Sequence, residues 1–129
     1  MNDLVKPLAG IETEYAIAPS SAAVDRQPRS AEASDCPIQA TLAELTRSNV
    51  YCEAASSGVF LANGARVYRD GTHLEYATPE ITAPAEAVAH VLAGERLVHA
   101  AIENIRSPGN SADAFHIFKT NVDYSDNRS

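Results

Sequence analysis

Eleven residues, Arg66 to Tyr76 (RVYRDGTHLEY), hold two arginines, two tyrosines, an aspartate, a histidine and a glutamate around one Asp-Gly step. That density of titratable groups is unusual for a plain turn, and the spacing shows how they would meet. If Arg66–Asp70 and His73–Thr78 are strands joined by Gly71-Thr72, glycine at the first loop position suits a type II′ hairpin turn. A two-residue loop then sets Asp70 opposite His73, Tyr68 opposite Glu75 and Arg66 opposite Ala77. Directly opposed side chains lie about 5 Å apart on the same face. Arg66, Tyr68, Asp70, His73 and Glu75 would form one polar surface. Val67, Arg69, Leu74, Tyr76 and Thr78 would fall on the other.

A second polar face lies near the start of the chain. In GIETEYAIA, Gly10 to Ala18, the residues Ile11, Thr13, Tyr15 and Ile17 alternate with Glu12 and Glu14. This is the period of a strand with its apolar side on a core. Same-face residues of a strand are roughly 7 Å apart. If the two polar faces meet, three or four carboxylates share a small space. Their repulsion raises some of their pKa values unless a cation sits between them. A hard divalent cation with oxygen ligands, Mg²⁺ above all, answers that chemistry, and Mg²⁺ usually arrives with a phosphate. Arg66 could hold that phosphate. The same pattern also describes the wet side of an ordinary sheet, and these residues alone leave both readings open.

The elements that must position these groups follow from the rest of the pattern. The first strand is expected to end at Pro19. Ser20 to Ser34, rich in Ser, Ala, Pro, Arg and Asp, reads as a mobile loop. Gln39 to Arg47 offers two turns of helix with Leu42 and Leu45 inward, while Asn49 to Ser57 has no clear period. Val59 to Ala62 is a short apolar run before the turn signal Asn63-Gly64. A long helix is expected after Thr82, which would cap it, with Pro84 in its first turn. Val88, Val91, Leu92, Val98, Ala101, Ile102 and Ile105 recur at helical spacing and predict one buried stripe. Ser107-Pro108-Gly109-Asn110 would stop the helix, and Phe115 to Val122 reads as a last strand. The order predicts an α+β fold: a mostly antiparallel sheet with one long helix packed on one face. No internal repeat or second domain is visible.

Composition narrows the function. The 129 residues suffice for one domain with a modest core. The net charge of -7 argues against a general nucleic-acid binder and against docking on an anionic membrane. No apolar run is long enough to span a bilayer, and MNDLVKPLAG lacks a signal-peptide pattern, so a cytoplasmic location is expected. Cys36 and Cys52, without a Cys-x-x-Cys, read as reduced thiols rather than a disulfide or zinc site. Cys52 reads as a small buried side chain rather than a nucleophile. His90 and His99 are expected at solvent or the helix edge, and His116 on a strand surface.

Three motifs carry a resemblance: GIETEY near the start, NGARVYRDGTHLEYATPE in the middle and FKTNVD near the end. In this order they resemble the Pup ligase and Pup deamidase/depupylase family, the proteasome accessory factor enzymes, relatives of glutamine synthetase and glutamate–cysteine ligase. The resemblance implies a partial glutamine-synthetase-like antiparallel sheet that cradles Mg-ATP. It makes Glu12, Glu14, Tyr68 and Glu75 magnesium ligands, Arg66 and Thr78 ATP contacts, and Asp70 the catalytic aspartate. Asp70 would then be the base that deprotonates a substrate lysine in a ligase. In a deamidase it would be the nucleophile or the group that activates water. The implied partners are Pup and pupylated proteins of the proteasome pathway. Two residues between Asp70 and His73 resemble the deamidase branch, since the ligase branch typically has one more, whereas GIETEY looks more like the ligase. Leu74, Ala16 and Thr120 depart from the family's usual Pro, Gly and Asn. Family members are several times longer, so residues 1–129 are expected to be a single N-terminal fragment of the catalytic domain, a truncated frame or a degenerate relative. Self-association is expected of a sheet lacking its covering partners. The other readings are an inactive interaction module and a carboxylate–amine ligase for a small amino acid.

Overall fold

The computed structural model describes residues 8–19, 31–48, 51–55, 58–105 and 115–119. Six strands and two helices follow in the order β1 (Glu12–Pro19), α1 (Ala31–Arg47), β2 (Tyr51–Ala55), β3 (Gly58–Leu61), β4 (Arg66–Asp70), β5 (His73–Ala77), α2 (Pro84–Ile105) and β6 (Phe115–Phe118). The strands form one sheet in the order β2-β3-β4-β5-β1-β6, and every pair is antiparallel. The α+β expectation is borne out. The sheet places the first strand of the chain between β5 and β6, so its position depends on partners late in the sequence.

Period-two patterning divides the sheet into two faces. Tyr15, Ile17, Val59, Leu61, Val67, Leu74 and Tyr76 are buried with Ile38, Leu42 and Leu45 of α1 and Val98, Ala101 and Ile102 of α2 in one core. Both helices therefore cover the same face. Gly94 lets α2 approach closely, since a Cβ there would lie 2.5 Å from the Tyr76 ring. Glu44 of α1 ties the helices together: its Oε1 accepts from Asn104 Nδ2 of α2 at 3.0 Å, and its carboxylate also takes two bonds from Arg47.

β1 does end at Pro19, as expected, with that residue paired to Phe115; a proline at the end of a strand lacks only one donor. Several other expectations are corrected. Helix α1 begins at Ala31 rather than Gln39, so residues 31–34 of the expected loop are helical. Ala31, Glu32 and Ala33 are good helix formers, and the chain accepts Pro37 inside the helix. Residues 20–30 of that loop lie outside the described residues. Tyr51–Ala55, in the stretch without a period, is a strand held by pairing with β3 through an irregular register at Tyr51 and Glu53.

At the start of α2, Thr82 does not act as an N-cap acceptor. Ala83 accepts the first helical bonds, and Glu86 Oε2 receives the N–H groups of Thr82 and Ala83 and the Thr82 hydroxyl. This is the glutamate half of a capping box, and those bonds hold the Glu86 carboxyl below its usual range. The expected stripe is buried only from Gly94 onward, at Gly94, Val98, Ala101 and Ile102; Val88 and Leu92 remain exposed. β6 ends at Phe118, and Lys119, inside the expected strand, is not part of it; the stop signal at 107–110, positions 120–122 and the side chains of Cys36, Cys52 and His116 lie outside the described residues. His90 is half-buried and His99 exposed, as expected. Among the described residues no helix is long and apolar enough to cross a membrane.

Candidate functional site

The β4–β5 hairpin adopts the register read from its turn. Asp70 pairs with His73, Tyr68 with Glu75 and Arg66 with Ala77. Gly71 has φ 54°, the left-handed region glycine reaches at no steric cost. The Arg69 Nε closes the turn with a bond to the Gly71 carbonyl at 2.7 Å. Strand β5 also pairs with β1, where Glu14 lies opposite Glu75 and Glu12 opposite Ala77. The face away from the helices therefore carries two rows across three strands: Glu14–Glu75–Tyr68, and Glu12–Ala77–Arg66. The meeting of the two polar faces inferred from alternation is thus realised by strand pairing.

Beside Tyr68 the row continues to Gly58 of β3. A Cβ there would come within 2.5 Å of Tyr68 Cβ and 2.4 Å of the Val67 carbonyl oxygen. Backbone atoms cannot swing away, so this glycine permits the close approach of β3 to β4 at the site.

Glu75 is 4% exposed although both described helices pack on the opposite face. Burial pushes its carboxyl above the usual range; the bond with Tyr68 opposes that shift, and the charges of Glu12, Asp70 and Glu14 add to it. The Tyr68 hydroxyl donates to Glu12 Oε1 at 2.9 Å. Burial and its bonds to Glu75 and Glu12 raise its pKa far above the tyrosine value, so it stands here as a neutral phenol donor. Glu14 Oε2 lies 3.7 Å from His73 Nδ1. Like charges on one face thus find separate partners: Glu12 turns to Tyr68 and Glu14 to His73. In this arrangement no three Asp, Glu, His or Cys side chains among the described residues converge on one metal position.

The remaining predicted residues lie around this centre. Asp70 is exposed at the hairpin tip. The Arg66 guanidinium lies 4.4 Å from the Tyr68 ring centroid and 5.3 Å from that of Phe60. Thr78 follows the last residue of β5, and its hydroxyl accepts the Ile11 N–H at 3.0 Å. The Thr78 N–H in turn donates to the Ile11 carbonyl at 2.9 Å. This two-bond clasp pins the residue just before Glu12, so Thr78 adjoins the start of the carboxylate strand, whichever face alternation assigns it. Sequence reasoning missed Phe60. A short apolar run makes it look like core, although alternation with Val59 and Leu61 already sends it to the opposite face.

Chemically, the face concentrates acceptor oxygens around a buried glutamate, with a cationic plane and an exposed carboxylate at its margins. Comparison with known proteins agrees with the motifs. The Pup-ligase protein family model matches residues 7–128. The chain is 34% identical over 120 residues to a Pup–protein ligase of Bifidobacterium longum (strain NCC 2705), covering 88% of this chain and 22% of that protein. It is 43% identical over 72 residues to a Pup deamidase/depupylase of Mycolicibacterium smegmatis, covering 55% of this chain and 14% of that one. A chain in the crystal structure of the complex between prokaryotic ubiquitin-like protein Pup and its ligase PafA superposes with a TM-score of 0.61 at 25% identity, over 91% of this chain and 22% of that one. The chain belongs to the Pup-ligase protein family. It spans about a fifth of the length of the Bifidobacterium ligase and of the chain in the Pup–PafA complex.

Proposed function

We propose that this chain carries the metal- and nucleotide-binding face of a Pup-processing enzyme, acting on Pup and pupylated proteins of the proteasome pathway. The observation that supports this reading most directly is the row Glu14–Glu75–Tyr68 beside Glu12, with its central glutamate buried among like charges. The donor chemistry suits Mg²⁺, which takes carboxylates, waters and phosphate oxygens, although Glu12 and Glu14 would have to turn from Tyr68 and His73 to converge on it. Glu12, Glu14, Glu75 and the Tyr68 oxygen would hold it, and Arg66 and Thr78 would contact the ATP. The Mg²⁺ of a bound Mg-ATP would supply positive charge to offset these carboxylates, and its phosphates would give Arg66 an anionic partner. Asp70, exposed beside this face, is free to meet a protein substrate.

The reaction we favour is hydrolysis: deamidation of the C-terminal Gln of Pup, release of Pup from substrate lysines, or both. The two-residue Gly71-Thr72 turn supports this reading. Asp70 would attack the side-chain carbonyl or take a proton from the attacking water. The alternative is ligation, with Asp70 accepting a proton from the substrate lysine; the ligase relative matched over most of the chain favours it. The experiment is calorimetric titration of the chain with Mg-ATP beside Glu75→Ala. We expect binding by the parent chain and none by the variant; equal binding by both would refute the site. Pup ending in Gln and Pup ending in Glu plus a protein acceptor, each tested against Asp70→Asn, then separate hydrolase from ligase. An inactive module would bind neither nucleotide nor Pup and would not respond to either substitution.

A further inference from the structure

Phe60 is a large apolar side chain, 41% exposed, on the polar face of the sheet. The core does not account for it, because Val59 and Leu61 on either side supply the buried contacts of β3. Its strand partner does. Phe60 pairs directly with Arg66 across the β3–β4 ladder, and the guanidinium carbon stands 5.3 Å from its ring centroid. On the other side the same carbon stands 4.4 Å from the Tyr68 ring. The guanidinium is thus held against two aromatic rings, both within the range of cation–π attraction.

This arrangement restricts a side chain that otherwise has many rotamers. Arginine loses much rotamer freedom when immobilised. A residue that must meet an anion benefits when that loss is incurred before binding. Tyr68 already has a role through Glu12 and Glu75, which leaves the Phe60 ring as the contact whose evident effect is on Arg66.

We propose that Phe60 is a positioning residue for the nucleotide phosphates: its ring fixes the Arg66 guanidinium in the orientation that receives them. The inference rests on the nucleotide reading above. Phe60 acts through Arg66 and touches neither substrate nor metal. Three consequences separate this role from a structural one. Leucine in its place keeps apolar bulk but loses the aromatic face, so affinity should fall. Tyrosine keeps the ring, so affinity should be restored. Once Arg66 is gone, the identity of residue 60 should no longer matter.

The test is calorimetric titration of Mg-ATP into the parent chain, Phe60→Leu, Phe60→Tyr, Arg66→Ala and the Phe60→Leu/Arg66→Ala double variant, with a thermal melt of each. Phe60→Leu is expected to weaken binding about threefold to fivefold, the size of one partly exposed cation–π contact. Phe60→Tyr should bind within about twofold of the parent, and Phe60→Leu should add nothing in the Arg66→Ala background. Full affinity in Phe60→Leu overturns the inference while leaving the nucleotide site intact. An equal loss from Phe60→Leu with and without Arg66 also overturns it, since the ring would then act independently of the arginine. If Phe60→Leu melts early, Phe60→Tyr decides: failure to restore affinity in a folded Tyr variant overturns the inference. A folded parent chain that binds no Mg-ATP overturns this inference together with the reading beneath it.

Discussion

Glu75 links stability to function at the level of a single side chain. Its carboxyl is raised in the folded state, chiefly by burial and then by neighbouring charges. A carboxylate with a raised folded pKa contributes stability below its unfolded value, and that contribution is lost as pH climbs through the folded value. Above the ordinary carboxylate range the raised pKa of Glu75 is therefore a burden in the metal-free chain. We predict that Glu75→Gln melts higher than the parent at pH 7 without metal, and that the gap closes as pH falls below about 4.5, the ordinary value of the group. Parallel melting curves across that range would show that the charge does not carry the effect. With Mg-ATP present the order should invert, because only the parent gains from ligand binding. The membership of this face is legible in the sequence: a two-residue turn opening on Gly71 leaves one register, and alternation carries it from Asp70 to Arg66. The burial of Glu75 is not. It depends on Glu14 arriving from β1, more than sixty residues away along the chain, and local patterning contains no term for that pairing.

Among the elements, α2 presents opposed effects whose sizes decide the outcome. Replacing Gly94 with alanine should gain about 1 kcal/mol of helix propensity. The new methyl, however, would enter the Tyr76 ring at 2.5–2.6 Å, and Tyr76 is fully buried. Overpacking of a filled core costs about 1–3 kcal/mol, so Gly94→Ala is predicted to destabilise by about 1 kcal/mol net. Urea unfolding would measure this, and a stabilised variant would mean that α2 can rise off the sheet freely. Helix α2 itself is legible from its period and from Pro84. Its burial is legible only in part, because the apolar stripe continues to Val88 and Leu92 whether or not anything covers them. Helix α1 shows the converse. Pro37 and the polar Ser-Asp stretch before it read locally as a break, while docking of Ile38, Leu42 and Leu45 on the sheet sustains a helix from Ala31. Strand β2 is visible only through β3, since its own residues have no alternation.

Among the described residues one face of the sheet is closed by helices and the other carries the polar rows, with Leu8, Val88 and Leu92 among the exposed large apolar side chains. Because Val88 and Leu92 lie outside the core, the double substitution to glutamate should change unfolding stability by no more than about 0.5 kcal/mol. It should also reduce any self-association seen by sedimentation velocity at rising concentration. A loss of several kcal/mol would instead place both residues inside the packing. The sheet order has a further consequence, one of timing. Ala77 is made 65 residues after Glu12, with which it pairs, and at roughly 5–20 residues per second a nascent β1 waits about three to thirteen seconds for its first neighbour. During that interval it is an unclaimed apolar strand in a crowded cell. Its alternate positions carry Glu12 and Glu14, and charges spaced in this way discourage pairing with stray chains. The same carboxylates that shape the finished face thus act earlier as chaperones of their own strand.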